Sequence, residues 1–196
     1  MNVLELFAGS RSFSKVAENN NHNVFTTDIN DFENINYVVD ILEFDVNKVP
    51  FKPDIIWASP PCTYFSVAKE AELGVKIIKK TLDIIDFYKP KYWFLENPRG
   101  KLRKLEFMKK YNRATVCYCK YGDNRMKPTD IWTNHLFNPI FKKGWKPREM
   151  CFNGNKNCHH QPAPRGSQTG TQGLKGNYLR SQVPEELCKE ILKSVK

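Results

Sequence analysis

The stretch Asp54-Ile55-Ile56-Trp57-Ala58 is strongly apolar and runs straight into Ser59-Pro60-Pro61-Cys62. A short, continuous apolar run of this kind reads as a buried parallel strand. Two consecutive prolines cannot continue it, because each lacks an N–H and has a fixed φ. The chain must therefore leave the strand as a stiff, extended loop. In open α/β sheets the C-terminal edge of the strands is where ligands bind. The first side chain out of this turn is the thiol of Cys62. A cysteine held there is a candidate nucleophile. The alternative is a small buried hydrophobe that happens to follow a turn.

The rest of the chain repeats the strand-then-turn pattern. Residues 2–7 form a predicted first strand, followed by the small-residue turn Ala8-Gly9-Ser10-Arg11-Ser12 and a helix from Phe13 to Glu18 that Ser10 or Ser12 could cap. Asn23 to Thr27 is a second strand ending at Asp28, and Tyr37 to Ile41 a short third. Residues 54–58 are the fourth. Leu73 to Tyr88 has an apolar stripe of Val75, Ile78, Leu82, Ile85 and Phe87 near the helical period, and Lys89-Pro90 stops it. Tyr92 to Leu95 is a fifth buried strand that ends in Glu96-Asn97-Pro98. Leu102 to Tyr111 is predicted helical. Ala114 to Tyr118 and Asp130 to Thr133 are predicted strands around Tyr121-Gly122-Asp123-Asn124. Strand and helix in alternation predict a doubly wound, mostly parallel α/β sheet.

From Asn134 to Asn177 the chain is rich in Pro, Gly, Asn and Gln and has little periodicity, which predicts a small irregular insertion. Pro184 at a first helical position, with Glu185-Glu186 behind it, predicts a C-terminal helix aligned with its dipole. The expected division is a core over 1–133, an irregular substrate-contacting segment over 134–177, and a helix within 178–196 that returns to the core.

In a parallel sheet the strand ends fall on one edge. The Gly9 turn, Asp28, Cys62 and Glu96 are then neighbours. A glycine turn leading into a helix N-terminus is a nucleotide-type cradle, and an acidic residue about 20 positions later holds ribose hydroxyls. A thiol and a carboxylate beside such a cradle suit a reaction on a heterocycle, and cytosine fits. Thiolate addition at C6 breaks the aromaticity and makes C5 enamine-like. A carboxylic acid at N3 neutralises the charge that develops.

On these residues the chain resembles the cytosine-5 DNA methyltransferases. Leu6-Phe7-Ala8-Gly9 is similar to the family's first cofactor motif, and Asp28 to its ribose-binding acidic position. Asp40-Ile41 is similar to the motif that contacts adenine. Ser59-Pro60-Pro61-Cys62, followed by Phe65-Ser66, resembles the nucleophile motif, and Glu96-Asn97 the motif whose glutamate holds the cytosine ring. Arg125, in Asn124-Arg125-Met126-Lys127-Pro128-Thr129, resembles the basic motif that contacts the base's O2. The resemblance implies the S-adenosylmethionine-dependent methyltransferase fold. It implies Cys62, Glu96 and Arg125 as catalytic. It implies S-adenosyl-L-methionine held by Phe7, Ala8, Gly9, Ser10, Arg11, Ser12, Phe13, Asp28, Ile29, Asp40, Ile41 and Pro60. DNA is the implied partner, with Ser66, Lys69, Lys127, Arg165 and Arg180 in contact with it and the target base flipped out of the duplex.

The chain departs from the family pattern in three places. Arg11-Ser12 stands where the family has two glycines, which predicts an extra cation near the cofactor. Thr63 replaces the usual Gln. The irregular segment is far shorter than a usual target-recognition domain, so the chain resembles the compact methylases carried by phages. Few base-edge contacts and low sequence specificity are expected.

Composition agrees. Lys plus Arg exceed Asp plus Glu by 31 − 21, or +10, which favours a polyanionic partner. Lys142, Lys143, Lys146, Arg148, Lys156, Arg165, Lys175 and Arg180 are candidates for phosphate contact. No apolar run approaches a membrane span, and no basic leader precedes the first strand. A cytoplasmic monomer with reduced thiols is expected, in the host cytoplasm if the chain is phage-encoded. Cys151, Cys158, His159 and His160 offer zinc-ligand types, but their spacing is not that of a standard finger, so no metal is expected; Cys117 and Cys119 add ligands only if the fold brings them near. Two other functions stay open: a nucleic-acid-binding protein with a disabled cofactor turn, and a methylase of RNA or of a free nucleotide.

Overall fold

A computed structural model of the chain describes residues 1–65, 71–161 and 177–195. Ser66, Lys69, Arg165 and Lys175 lie outside the described residues. Seven strands form one sheet: β1 (Asn2–Leu6), β2 (Asn23–Asp28), β3 (Tyr37–Val38), β4 (Ile55–Ala58), β5 (Tyr92–Pro98), β6 (Arg113–Cys117) and β7 (Pro128–Thr133). Their order is β3-β2-β1-β4-β5-β7-β6. The first five are mutually parallel, and β7 enters antiparallel between β5 and β6. This is the doubly wound, mostly parallel sheet that the alternating pattern predicts.

Alternation along β4 and β5 sorts their side chains onto two faces. Ile55, Trp57, Tyr92 and Phe94 join one buried cluster, with Phe13 and Val16 of α1 (Ser12–Glu18) and Leu187, Ile191 and Leu192 of the C-terminal helix, Glu185–Ser194. Ile56, Ala58, Trp93 and Leu95 join the other, under Ile77, Ile78, Leu82 and Ile85 of α2 (Ala71–Tyr88). Phe13 stacks on Trp57 with ring centroids 4.7 Å apart, which fixes α1 over the centre of the sheet. A short α3 (Asn177–Ser181) precedes the C-terminal helix, now α4.

Several local expectations are corrected. Arg11, not Ser10 or Ser12, is the N-cap of α1; it takes a left-handed φ of 55° and makes no side-chain cap bond. The two serines are engaged elsewhere: their hydroxyls meet at 2.8 Å, and the Ser12 hydroxyl accepts the Val183 N–H at 3.1 Å. β3 stops at Val38, and Asp40 instead caps a 3-10 turn, Ile41–Glu43, by accepting the Leu42 N–H. Phe87 is exposed, and Ile77, Ile84 and Tyr88 fill the stripe of α2. Leu102 to Tyr111 is two 3-10 turns rather than a helix, since Leu105 between them is extended. Pro184 has ψ 133° and is the N-cap of α4, not its first helical residue. Among the described residues after Asn134, isolated bridges join Leu136 to Trp145 and Asn138 to Lys143, and Trp145 is buried in the core.

One buried charge links fold and site. Glu5, the residue before the end of β1, lies beneath the start of α1, where it accepts the Ser14 N–H at 2.8 Å and the Phe13 N–H at 3.4 Å. Burial lifts its carboxyl from 4.5 to about 7, against these hydrogen bonds. The folded chain therefore keeps a proton that the unfolded chain releases. Stability should fall as pH rises from about 4.5 to about 7 and level off above, a loss on the order of 3 kcal/mol for this one group. Urea denaturation across this range should show that slope flattened in Glu5→Gln; an unchanged slope would refute the assignment.

Candidate active site

The register of the parallel strands builds the site. Leu6 pairs with Thr27 on one side and Ala58 on the other, and Ala58 pairs with Leu95. The residues one step beyond this row are Phe7, Asp28, Ser59 and Glu96. The Gly9 turn, the acidic strand end, the Pro-Pro-Cys loop and the glutamate therefore leave the sheet along one edge.

The Pro60-Pro61 loop is tied to its neighbours on both sides. The Trp57 indole N–H donates to the Ser59 hydroxyl at 2.9 Å, and the Asn97 amide donates to the Pro60 carbonyl at 2.8 Å. Pro60 is buried and Cys62 half-buried. Asn97 thus links the two strand ends that carry Cys62 and Glu96. Burial pushes the Cys62 thiol up from its ordinary range, and the Glu96 charge pushes it further; Lys127 and Arg180 pull it back. Thiol, carboxylate and two cations therefore share one electrostatic environment.

Glu96 is buried and oriented by the Tyr118 hydroxyl, which donates to its Oε1 at 2.7 Å. Burial and the Glu96 charge hold the Tyr118 phenol well above its ordinary range, so it stays a donor. Lys127 lies over the Tyr118 ring, with its ammonium 4.5 Å from the centroid, and donates to the Arg180 carbonyl at 2.9 Å. Burial lowers Lys127 from its usual value, and the Glu96 charge opposes this. Arg125 is buried as well. Its Nε reaches both Asp123 carboxylate oxygens, at 2.9 and 3.0 Å, and its other nitrogens reach the carbonyls of Leu179, Arg180 and Gln182. Lys127 and Arg125 thereby hold residues 179–182 across the site.

The Gly9 turn is compact. Gly9 has φ +44° and donates its N–H to Asp28 Oδ2 at 3.0 Å. A Cβ there would lie 3.8 Å from both the Asp28 carboxylate and the Ser181 hydroxyl, filling the space between turn and strand end. Asp40 stands beyond β3, and Ile29, 61% exposed, offers an apolar side chain beside Asp28. A glycine cradle, a carboxylate that can accept from hydroxyl groups and an exposed aliphatic for a flat ring suit S-adenosylmethionine. Arg11 adds no free cation, because its guanidinium pairs with Glu18 of its own helix.

Sequence reasoning located Cys62, Glu96, Asp28 and the Gly9 turn on one edge, but missed three supports. Tyr118 carries no motif; only a polar aromatic at a strand end could have marked it. Asn97 was read with Glu96 as a motif without a task of its own. Lys127, expected to contact DNA, is buried against Tyr118, and its charge acts on Cys62. Among the basic residues expected at phosphates, Arg148 is committed to Glu186 and Glu190 at 3.0 and 2.9 Å. The structure also gathers Cys119, Cys151, Cys158 and His160, whereas Cys117 and His159 turn elsewhere.

Comparison with known proteins agrees with this arrangement. Solved methyltransferases share the fold. A DNA modification methyltransferase encoded within an E. coli prophage matches with a TM-score of 0.55 at 16% identity over 78% of this chain. The Entamoeba histolytica methyltransferase EhMeth matches with a TM-score of 0.54 at 16% identity over 77%. This chain spans 52% and 57% of those two proteins. The family model for C-5 cytosine-specific DNA methylases matches residues 1–113. A probable DNA (cytosine-5)-methyltransferase of Frog virus 3 (isolate Goorha) is 30% identical over 98% of this chain and 99% of its own length. The chain therefore belongs to the C-5 cytosine-specific DNA methylase family, which are DNA (cytosine-5)-methyltransferases. The viral source of that full-length relative agrees with the resemblance to compact phage enzymes. No described helix is long and apolar enough to cross a membrane.

The electrostatics of Cys62 can be read by alkylation. Peptide-resolved labelling with iodoacetamide at pH 8 should be severalfold faster at Cys62 in Glu96→Gln, which removes the like charge, and slower in Lys127→Met. Equal rates in all three proteins would show that the thiol does not sense these groups.

Proposed function

We propose that the protein transfers a methyl group to C5 of cytosine in DNA through a covalent bond between Cys62 and C6 of a flipped base. The observation that carries this reading is the placement of the Cys62 loop and Glu96 just beyond paired ends of adjacent parallel strands, fastened together by the Asn97 amide on the Pro60 carbonyl. When bound near Gly9, Asp28, Ile29 and Asp40, S-adenosylmethionine supplies an electrophilic methyl group.

The chain's own residues do the rest. The Cys62 thiolate adds to C6, and the electron pair displaced from the ring is neutralised by a proton that Glu96 delivers at N3. C5 is then enamine-like. Once C5 has been substituted, transfer of its proton to solvent restores the double bond, breaks the S–C6 bond and releases the Cys62 thiolate; N3 returns its proton to Glu96. Lys127 and Arg180 favour the thiolate over the thiol. Tyr118 holds the Glu96 carboxyl, so that its free oxygen addresses the base. Arg125, buried under residues 179–182, supports the loop side of the base pocket, with contact to O2 as its proposed further task. Arg11's pairing with Glu18 supports a working cofactor turn and weighs against the reading as a disabled binding protein.

Labelled methyl transfer to duplex DNA, single-stranded DNA and RNA tests the proposal. Duplex DNA should be the best substrate, with scrambled duplexes methylated comparably. Cys62→Ser should fall to background. Glu96→Gln should lose roughly 10²–10⁴-fold in kcat, and Tyr118→Phe about tenfold, the cost of one hydrogen bond to a charged group. Equal transfer by wild type and Cys62→Ser would refute the covalent route, and a preference for RNA would reassign the substrate.

A further inference from the structure

The strongest unassigned feature lies beyond the active site, where the irregular segment meets the core. Cys119 sits in the 3-10 turn Tyr118–Tyr121 that follows β6. Cys151, Cys158 and His160 come from a single stretch of the irregular segment. Their three sulfurs and one ring nitrogen all lie within 4.8 Å of one another. The Cys151 sulfur is 3.7 Å from His160 Nδ1. Tetrahedral zinc, with bonds of about 2.3 Å to sulfur and about 2.0 Å to nitrogen, places two such ligand atoms about 3.6–3.8 Å apart. The side chains are already near that spacing.

The backbone is shaped to bring them there. The stretch from Cys151 folds back through a turn in which the Phe152 carbonyl accepts the Asn155 N–H and the Asn155 carbonyl accepts the Cys158 N–H. Gly154 takes φ +79° in that turn. The Asn155 amide points at the Cys151 sulfur from 3.5 Å, the kind of outer donor that orients a thiolate ligand. Beyond His160, the Gln161 N–H is anchored on the Asn124 carbonyl at 2.9 Å. Cys119, Cys151 and His160 are buried. All six cysteines of the chain are free thiols, so no disulfide closes this loop.

The geometry points to a structural zinc site formed by Cys119, Cys151, Cys158 and His160. Four protein ligands leave no open position, which makes the site a staple rather than a catalytic centre. Binding releases the three thiol protons and leaves the cluster with one net negative charge. The staple would fix the irregular segment to the turn that carries Tyr118, the donor to Glu96. It would also fix His159, whose Nε2 lies 3.1 Å from the carbonyl of Asp123, the partner of Arg125. With little regular structure among its described residues, 134–161, the segment gains an ordered platform beside Glu96 and Arg125 by this means.

Two near neighbours serve as internal controls. Cys117 lies two residues before Cys119, yet its thiol turns to the Cys151 carbonyl at 3.5 Å. His159 precedes His160 but faces Asp123. The full chain, purified without chelator or added metal, should contain about one zinc per molecule by elemental mass spectrometry. Exchange with Co²⁺ should produce the visible absorption of a tetrahedral thiolate site. Cys151→Ser and Cys158→Ser should each lose the bound metal and that spectrum, whereas Cys117→Ser and His159→Ala should keep both. The wild-type metal content and cobalt spectrum are read on folded protein, so a variant that fails to fold leaves the test intact. Wild type without zinc and without a cobalt spectrum would overturn the inference. So would a disulfide between two of the three cysteines in freshly purified chain, or loss of metal in Cys117→Ser.

Discussion

The shared register of β1, β4 and β5 is the constraint from which the site follows. Parallel strands in register end at one edge, so whatever leaves them must meet there. Leu6, Ala58 and Leu95 occupy one row. The next positions start the cofactor turn, the Pro-Pro-Cys loop and the glutamate. The rigidity of Pro60-Pro61 matters because it is spent at this row: the loop cannot drift, and Asn97 fastens it to the strand that carries Glu96. Thiol and carboxylate are thereby held together by the sheet rather than by flexible chain.

A second layer comes from far along the sequence. Tyr118, Asp123, Arg125 and Lys127 lie around the antiparallel pair β6 and β7, and they hold Glu96 on one side and residues 179–182 on the other. The C-terminal stretch passes close to the Gly9 turn at Ser181 and donates its Val183 N–H to the Ser12 hydroxyl before α4 packs on α1. The Gly9 turn, the Pro-Pro-Cys loop and the turn that carries Arg125 are therefore supported by buried polar groups. Buried polar groups of this kind are stabilising only when satisfied, which gives each of these contacts a part in fold as well as chemistry.

The strand ends were legible because apolar runs and prolines leave strong local signals. Ile55 to Ala58 reads as buried on both faces, and it is. Cys62, Glu96, Asp28 and Gly9 then follow from topology alone. Less was legible where long-range contact outweighs local pattern. Leu102 to Tyr111 has helical spacing, yet it breaks at Leu105 into two short turns. Arg11 looked like a charge added to the cofactor turn; its pairing with Glu18, seven residues on, could not be read from the turn itself. Lys127 is expected at DNA from its motif, yet it is buried on Tyr118. The grouping of Cys119 with Cys151, Cys158 and His160 spans about a fifth of the chain with no standard spacing, so only the folded arrangement reveals it.

The covalent bond from Cys62 to the base is the centre of this account, and a substrate that cannot complete the cycle measures it directly. A duplex carrying 5-fluorocytosine at the target position has no C5 proton to lose, so the S–C6 bond should persist after methyl transfer. Incubation with S-adenosylmethionine should give a denaturation-resistant protein–DNA adduct whose modified peptide maps to Cys62. An adduct that forms equally in Cys62→Ser, or maps to another cysteine, would contradict the mechanism.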